Sequence, residues 1–226
     1  MAQSIRNLAL GSKIRDSLGN KFIVIAHDHY SSNEVTLMSE SSIGKRVMNV
    51  NYNANYNFGS SDLSYYLNND YLSTLDSNLR NSIKISDIPY RDFLTYPSYS
   101  DKTLRTKVFI PSLKEVGVSD SDSSNSEVKM PYLQSILKST FGLYSMWTRT
   151  EYVSSSSASP ASKFYIVYNG SSSTYREGDS EYHVLPIFNL NATSLVSDSA
   201  NGGYYSFIFN VPQDVKARYI GCARRV

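Results

Sequence analysis

Apolar and polar positions along this chain fall into short runs broken by turn residues, and the period of the runs changes from place to place. Phe22-Ile23-Val24-Ile25-Ala26 is a continuous apolar run of strand length. Glu34-Val35-Thr36-Leu37-Met38 follows a polar turn at 31–33, so the two runs predict an N-terminal hairpin or meander. Between 62 and 72 the period lengthens. Leu63, Tyr66, Leu67 and Tyr71 recur at three- and four-residue spacing, one apolar face of a helix capped by Ser60 or Ser61. A short helix is predicted over 77–83, with Leu79 and Ile83 inward. Another is predicted over 131–141, with Pro131 at a tolerated early position and Leu133, Ile136, Leu137 and Phe141 inward. Residues 106–110 predict a strand, ended by Pro111-Ser112, with Ser112 capping a turn over 113–116.

The block from 144 to 190 carries the strongest pattern. Tyr144 to Thr150, Phe164 to Tyr168 and Val184 to Leu190 are three apolar runs separated by turn residues, which predicts antiparallel strands of one sheet. Asn169-Gly170 has the chemistry of a tight hairpin turn, because both residues tolerate positive φ. The rest of the chain is expected to pack against this sheet. Residues 204–209 alternate as a further strand, while 41–59, 84–100 and 119–126 read as loops. Helices sit between groups of strands without a βαβ rhythm. The fold class predicted is α+β, with mixed, mainly antiparallel sheets and a few short amphipathic helices.

Composition narrows the function classes. The 226 residues are 41% apolar, enough for a core, and the net charge of +2 is too weak a bias to indicate a nucleic-acid partner. No apolar run approaches the roughly 20 residues of a membrane span, and the N-terminus lacks a signal-peptide core. A chain that folds or assembles in a cytoplasm is expected. The single cysteine, Cys222, permits neither an intrachain disulfide nor a thiolate metal cluster. Nineteen Tyr, together with abundant Ser and Asn, suit a recognition surface, since Tyr gives contact area at little entropic cost; half-exposed strand faces use Tyr as well.

Catalytic constellations are not found. His27-Asp28-His29 is the most metal-like cluster, because alternate strand residues face one side, but it has no third ligand and reads as a strand-end turn. No G-x-S-x-G elbow occurs. Glu151, Glu177, Asp179 and Glu181 have neither a calcium-loop spacing nor a defined glycosidase pairing and read as solvated loop charges. No cofactor is expected and no enzyme activity is assigned.

Four stretches in order resemble one family. They are Ser61-Asp62-Leu63-Ser64-Tyr65-Tyr66-Leu67-Asn68, the segment Lys107 to Gly117 (K-V-F-I-P-S-L-K-E-V-G), Met146-Trp147-Thr148-Arg149-Thr150, and Val184-Leu185-Pro186-Ile187-Phe188-Asn189-Leu190. Together they resemble the DUF6273-type domain, found in phage structural proteins and bacterial surface proteins, over about residues 4–195. The later motifs are similar to those of C-type-lectin-like folds of the formylglycine-generating-enzyme type. Leu185 stands where the pattern has Arg, Thr150 where it has Pro, and the cysteine pair of the oxygenase relatives cannot exist here. Copper or oxygenase chemistry is therefore not carried over.

The resemblance implies a globular domain over 1–195, with 196–226 as a C-terminal β extension packed on it or used in assembly. It implies a non-enzymatic bacteriophage virion protein on the particle surface, either capsid decoration, head fibre or tail-associated. The alternative is a carbohydrate- or receptor-binding module of a tail fibre or baseplate. Expected partners are other virion proteins of capsid or tail, further copies of the chain, and a bacterial surface glycan, with no nucleic acid and no membrane. The candidate contact residues are Tyr52, Tyr56, Tyr96, Tyr99, Trp147, Tyr152 and Tyr175.

Overall fold

A computed structural model describes residues 2–51, 57–95, 98–118, 124, 126–140, 145–152, 163–168 and 172–209. In chain order the strands before the first helix are β1 (Ala2–Ser4), β2 (Lys13–Arg15), β3 (Lys21–His27), β4 (Glu34–Ser39) and β5 (Lys45–Arg46). Helix α1 (Asp62–Tyr66) runs on into a π-helical turn, Leu67–Tyr71, and α2 (Ser77–Ser82) follows. Next come β6 (Ser86–Thr95), β7 (Ser98–Thr106), β8 (Val108–Phe109) and α3 (Pro131–Thr140). The C-terminal part holds β9 (Met146–Glu151), β10 (Lys163–Tyr168), β11 (Ser172–Glu177), β12 (Tyr182–His183), β13 (Ile187–Asn191), β14 (Leu195–Ser197) and β15 (Tyr205–Ile208). The architecture is α+β, mostly sheet with a few short helices. Among the described residues no helix is long and apolar enough to cross a membrane.

Three sheets form. One has eight strands in the order β1-β14-β15-β2-β3-β4-β13-β8, a second has five in the order β11-β10-β9-β12-β5, and β6 and β7 make a separate two-stranded ribbon. The block expected to form one sheet is therefore divided. β9 and β10 pair antiparallel as expected and β11, a strand not expected, joins β10, but the apolar run ending at Leu190 leaves them. It supplies β13, which lies between β4 and β8 in the larger sheet. The physical reason is two-sided burial: Ile187, Phe188, Asn189 and Leu190 are all fully buried, which only an interior strand of a covered sheet allows. The core follows this larger sheet, with Phe22 of β3 edge-on to Phe188 of β13 at a centroid distance of 5.1 Å.

Other expectations change in detail. Residues 84–100, expected as a loop, contribute β6 and the start of β7. Pro89 hid the strand, but it pairs with Thr103 in a ribbon where both strands are edges, so its missing N–H breaks no interior ladder. The expected 106–110 strand is only Val108–Phe109, and residues 45–46 of the expected 41–59 loop form β5. β15, placed by the sequence in an extension, is an internal strand paired antiparallel to β14 and parallel to β2. The large sheet thus runs past residue 195 without a break. Cys222, Arg224 and Arg225 lie outside the described residues, as do Phe141 and the Asn169-Gly170 pair expected as a hairpin turn.

The first helix shows why the fold holds at one point. Ser61 caps it by accepting the Ser64 N–H at 3.0 Å. Asn68, in the π-helical turn, reaches across to the chain between β7 and β8. Its Oδ1 accepts from the Lys107 N–H at 3.2 Å, the Val108 N–H at 3.0 Å and the Thr106 hydroxyl at 3.0 Å, while its Nδ2 donates to the Ser64 and Val108 carbonyls. A helix side chain therefore satisfies strand-end groups of the neighbouring chain. We predict that Asn68→Ala, which leaves these groups unsatisfied, lowers unfolding free energy by about 2–4 kcal/mol in denaturant titration. A loss below about 0.5 kcal/mol would count against the joint.

Candidate functional site

The motif segment after β8 builds the site. Ser112 Oγ accepts the Glu115 N–H at 3.1 Å, and Glu115 Oε2 accepts the Ser112 N–H at 3.0 Å, a reciprocal capping box around one turn. At the other end the Gly117 N–H donates to the Lys114 carbonyl at 2.9 Å and the Val118 N–H to the Leu113 carbonyl at 3.1 Å. That closure needs a left-handed residue, and Gly117 has φ +80°. A Cβ there would also lie 2.7 Å from the Gln134 side chain. Ser, Glu and Gly in this segment thus each have a geometric task.

Arg149 comes from β9. Its N–H donates to the Pro111 carbonyl at 2.9 Å, which ties the strand to the turn. Its guanidinium then makes a two-pronged pair with Glu115: Nη1 to Oε2 at 2.7 Å and Nη2 to Oε1 at 2.5 Å, both side chains fully buried. Nη1 also donates to the Ile110 carbonyl at 2.9 Å and Nη2 to the Pro89 carbonyl at 3.4 Å, so the same group holds the β6–β7 ribbon. Tyr30 donates its hydroxyl to Glu115 Oε1 at 2.8 Å, and His29 Nε2 stands 3.7 Å from the same oxygen. Glu127 lies 3.6 Å from Arg149. Thr150, which replaces the motif proline, accepts the Leu113 N–H at 2.9 Å, so the departure supplies a bond that proline could not. Leu185, which replaces the motif Arg, is buried in the core.

The electrostatics divide the two carboxyls. Burial pushes Glu115 up, but the charge of Arg149, the His29 contact and the Arg149 hydrogen bonds outweigh it and hold the group at about 2. Burial pushes Glu127 up to about 7, with the charge of Glu115 adding to the rise and Arg149 opposing it. Burial lowers Arg149, yet the Glu115 charge more than reverses that and keeps it cationic. Burial, then the Glu115 charge, raises Tyr30 well above a normal phenol. Glu115 is therefore saturated with donors and weakly basic, a fixture rather than a proton carrier.

Above this network opens a cleft of about 300 Å³. Its walls are His29 and Tyr30, then Asp87, Pro89, Asp101, Lys102 and Thr103 of the ribbon, with Glu115 at the floor and Ser126 and Val128 opposite. Asp101 accepts from Arg91 Nε at 3.2 Å, and Asp87 is paired with Arg105 at 3.4 Å. His27 and His29 do not share a strand face: β3 ends at His27, and Asp28 turns the chain at φ +53° while pairing with Arg6. His29 is thereby delivered to the cleft.

A second surface lies at the β11 end of the five-stranded sheet. Tyr165 of β10 pairs across the ladder with Tyr175 of β11. Tyr152 stacks on Tyr175 at 3.7 Å and 8° and stands edge-on to Tyr165 at 5.7 Å. Tyr175 is 41% exposed, and Lys163, paired with Glu177 at 3.1 Å, lies 5.6 Å from its ring centre. Two of the predicted contact residues, Tyr152 and Tyr175, are thus brought together. Trp147 is not a contact residue. It is 1% exposed, packs edge-on to Tyr182 at 4.9 Å, and donates its indole N–H to the Arg46 carbonyl at 2.8 Å. A large ring with a satisfied N–H belongs in the core. Tyr52, Tyr56 and Tyr96 lie outside the described residues; Tyr99 sits in β7, and its side chain lies outside the description.

Sequence reasoning gave no role to Glu115, Arg149, Glu127 or Tyr30. The readable signals were the S-x-x-E spacing and an arginine in the middle of an otherwise neutral run, Met146 to Thr150. Residues 32–192 match the model of a family described as a domain of unknown function, DUF6273. No curated protein and no solved structure matches the chain.

Two outcomes follow from the charge network. Arg149→Met leaves Glu115 buried without its counter-charge and is expected to cost about 3–5 kcal/mol of stability near pH 7 in denaturant unfolding. The carboxyls set opposite pH trends. Glu115, depressed from 4.5 to about 2, contributes stability above pH 4.5 that is lost as pH falls toward 2. Glu127, raised from 4.5 to about 7, favours the folded state when protonated, so its contribution is lost as pH rises from 4.5 to 7. Glu127→Gln should raise Tm more at pH 8 than at pH 5. An equal rise at both, or a fall at pH 8, contradicts the assignment.

Proposed function

The chain belongs to the DUF6273 family, and from that membership we propose that it is a non-enzymatic structural protein of a bacteriophage particle, displayed on the virion surface with a C-type-lectin-like recognition fold. The observation that carries this reading is the tyrosine cluster Tyr152, Tyr165 and Tyr175 at the β11 end of the five-stranded sheet. Tyr175 is the exposed member and stacks on half-buried Tyr152, while Phe164 and Ile166 of the same ladder are buried. Such a surface offers contact area with little left to order on binding. The motif charges point the same way. Glu115 and Arg149 neutralise each other below the cleft, which suits a scaffold that must hold its shape.

A second reading, a module that binds a carbohydrate or receptor of the bacterial surface, is favoured by the cleft. Its volume of about 300 Å³ is at the lower end of small-ligand pockets. Its walls mix hydroxyl, carboxylate, ammonium and imidazole groups with the apolar faces of Pro89 and Val128, a lining suited to a hydroxylated ligand of monosaccharide size.

The test combines location and activity. Mass spectrometry of purified particles from a host producing this chain is expected to find it in fixed stoichiometry. Tyr175→Ala is expected to leave Tm within about 2 °C and to lower incorporation or host adsorption at least about tenfold. Absence from particles sinks the virion reading. Release of reducing sugar or free amines from bacterial wall material by the purified chain would replace it with an enzyme.

A further inference from the structure

Away from both surfaces, a buried group of polar side chains lies between the large sheet and the segment that leaves it for the β6–β7 ribbon. Glu34 and Thr36 are two residues apart on β4 and so share a face. Asn189 of β13 pairs directly with Thr36, which puts all three side chains on that face. Glu34 is 1% exposed, and Thr36 and Asn189 are fully buried.

The segment entering β6 covers them. The Lys84 N–H donates to the Asn189 carbonyl at 2.9 Å, and Lys84 Nζ to Glu34 Oε2 at 2.8 Å. Asn189 Nδ2 donates to Ser86 Oγ at 2.8 Å. Three atoms remain without a protein partner: Glu34 Oε1, Thr36 Oγ1 and Asn189 Oδ1. One orphaned buried polar atom calls for an explanation, and three on one sheet face call for a shared one.

We infer that Glu34, Thr36 and Asn189 enclose a binding site for one internal water molecule, which fixes the two side chains, Glu34 and Asn189, that hold Lys84 and Ser86 at the root of the β6–β7 ribbon. The donor and acceptor count fits. Water donates one hydrogen to the Glu34 carboxylate and one to the Asn189 amide oxygen, and accepts the Thr36 hydroxyl, the three bonds usual for a buried water. Charge selects a neutral ligand. Lys84 already neutralises Glu34, so a metal cation on the same carboxylate would face an ammonium group in a poorly solvated space. The ribbon forms one wall of the cleft, so this water shapes that wall without touching a ligand. The inference is independent of the function proposed above.

Two measurements test it. A crystal structure of the full chain is expected to show one density peak at about 2.7–3.2 Å from all three oxygens. A peak at about 2.3–2.6 Å from them would indicate a cation and overturn the inference, as would direct bonds among the three side chains with no peak. In solution, water-oxygen magnetic relaxation dispersion is expected to lose one long-lived water in the Thr36→Val, Asn189→Leu double variant; an unchanged count in a folded variant overturns it. Should that variant not fold, the crystal structure decides alone.

Discussion

Glu115 and Arg149 meet with neither side chain exposed to solvent, and most of what lies around them is arranged to make that tolerable. Removing two charges from water costs several kcal/mol for each ion. The cost is offset by full hydrogen bonding of the carboxylate: it accepts twice from Arg149, once from Tyr30 and once from the Ser112 N–H. Arg149 also donates to the carbonyls of Ile110 and Pro89 and stands 3.6 Å from Glu127. One pair thereby joins a strand of the five-stranded sheet, the turn after β8 and the two-stranded ribbon. These parts share little ladder bonding, so the pair does what hydrogen-bonded strands do elsewhere.

Placing the charges inside has consequences for chemistry. A carboxylate held at about 2 with four donors is unsuited to proton transfer near neutrality. The carboxyl beside it, Glu127, is displaced toward 7 because a second negative charge in the same dry space is poorly tolerated. The cleft above therefore has a fixed floor, and ribbon residues form part of its wall. The tyrosine cluster of the five-stranded sheet is built differently, from ring stacking on a ladder, and leaves Tyr175 exposed.

Local structure was legible wherever short-range chemistry decides it. The period of Leu63, Leu67 and Tyr71 gave the first helix, and Ser61 its cap; Leu79 and Ile83 gave the second. The run Phe22 to Ala26 gave β3. The ribbon was missed because Pro89 and its polar neighbours carry no apolar alternation, and a two-stranded edge needs none. The site was legible only as fragments. S-x-x-E and the closing Gly117 announce a capped turn, but nothing near Arg149 in the chain names Glu115 as its partner. Trp147 was misplaced because an aromatic in a short strand looks the same whether it faces inward or outward.

What the sequence determined by itself is the first two helices, apolar strands such as β3, the capped turn and the family motifs, since each depends on residues within a few positions of one another. Tertiary structure alone decided that the apolar run ending at Leu190 leaves its neighbours to join β4, and that β15 slips between β14 and β2. It alone decided that Glu115, Arg149, Tyr30 and Glu127 share one buried space. Strand partners and buried charges are chosen by which surfaces exclude water together, and that exclusion exists only once distant segments have packed.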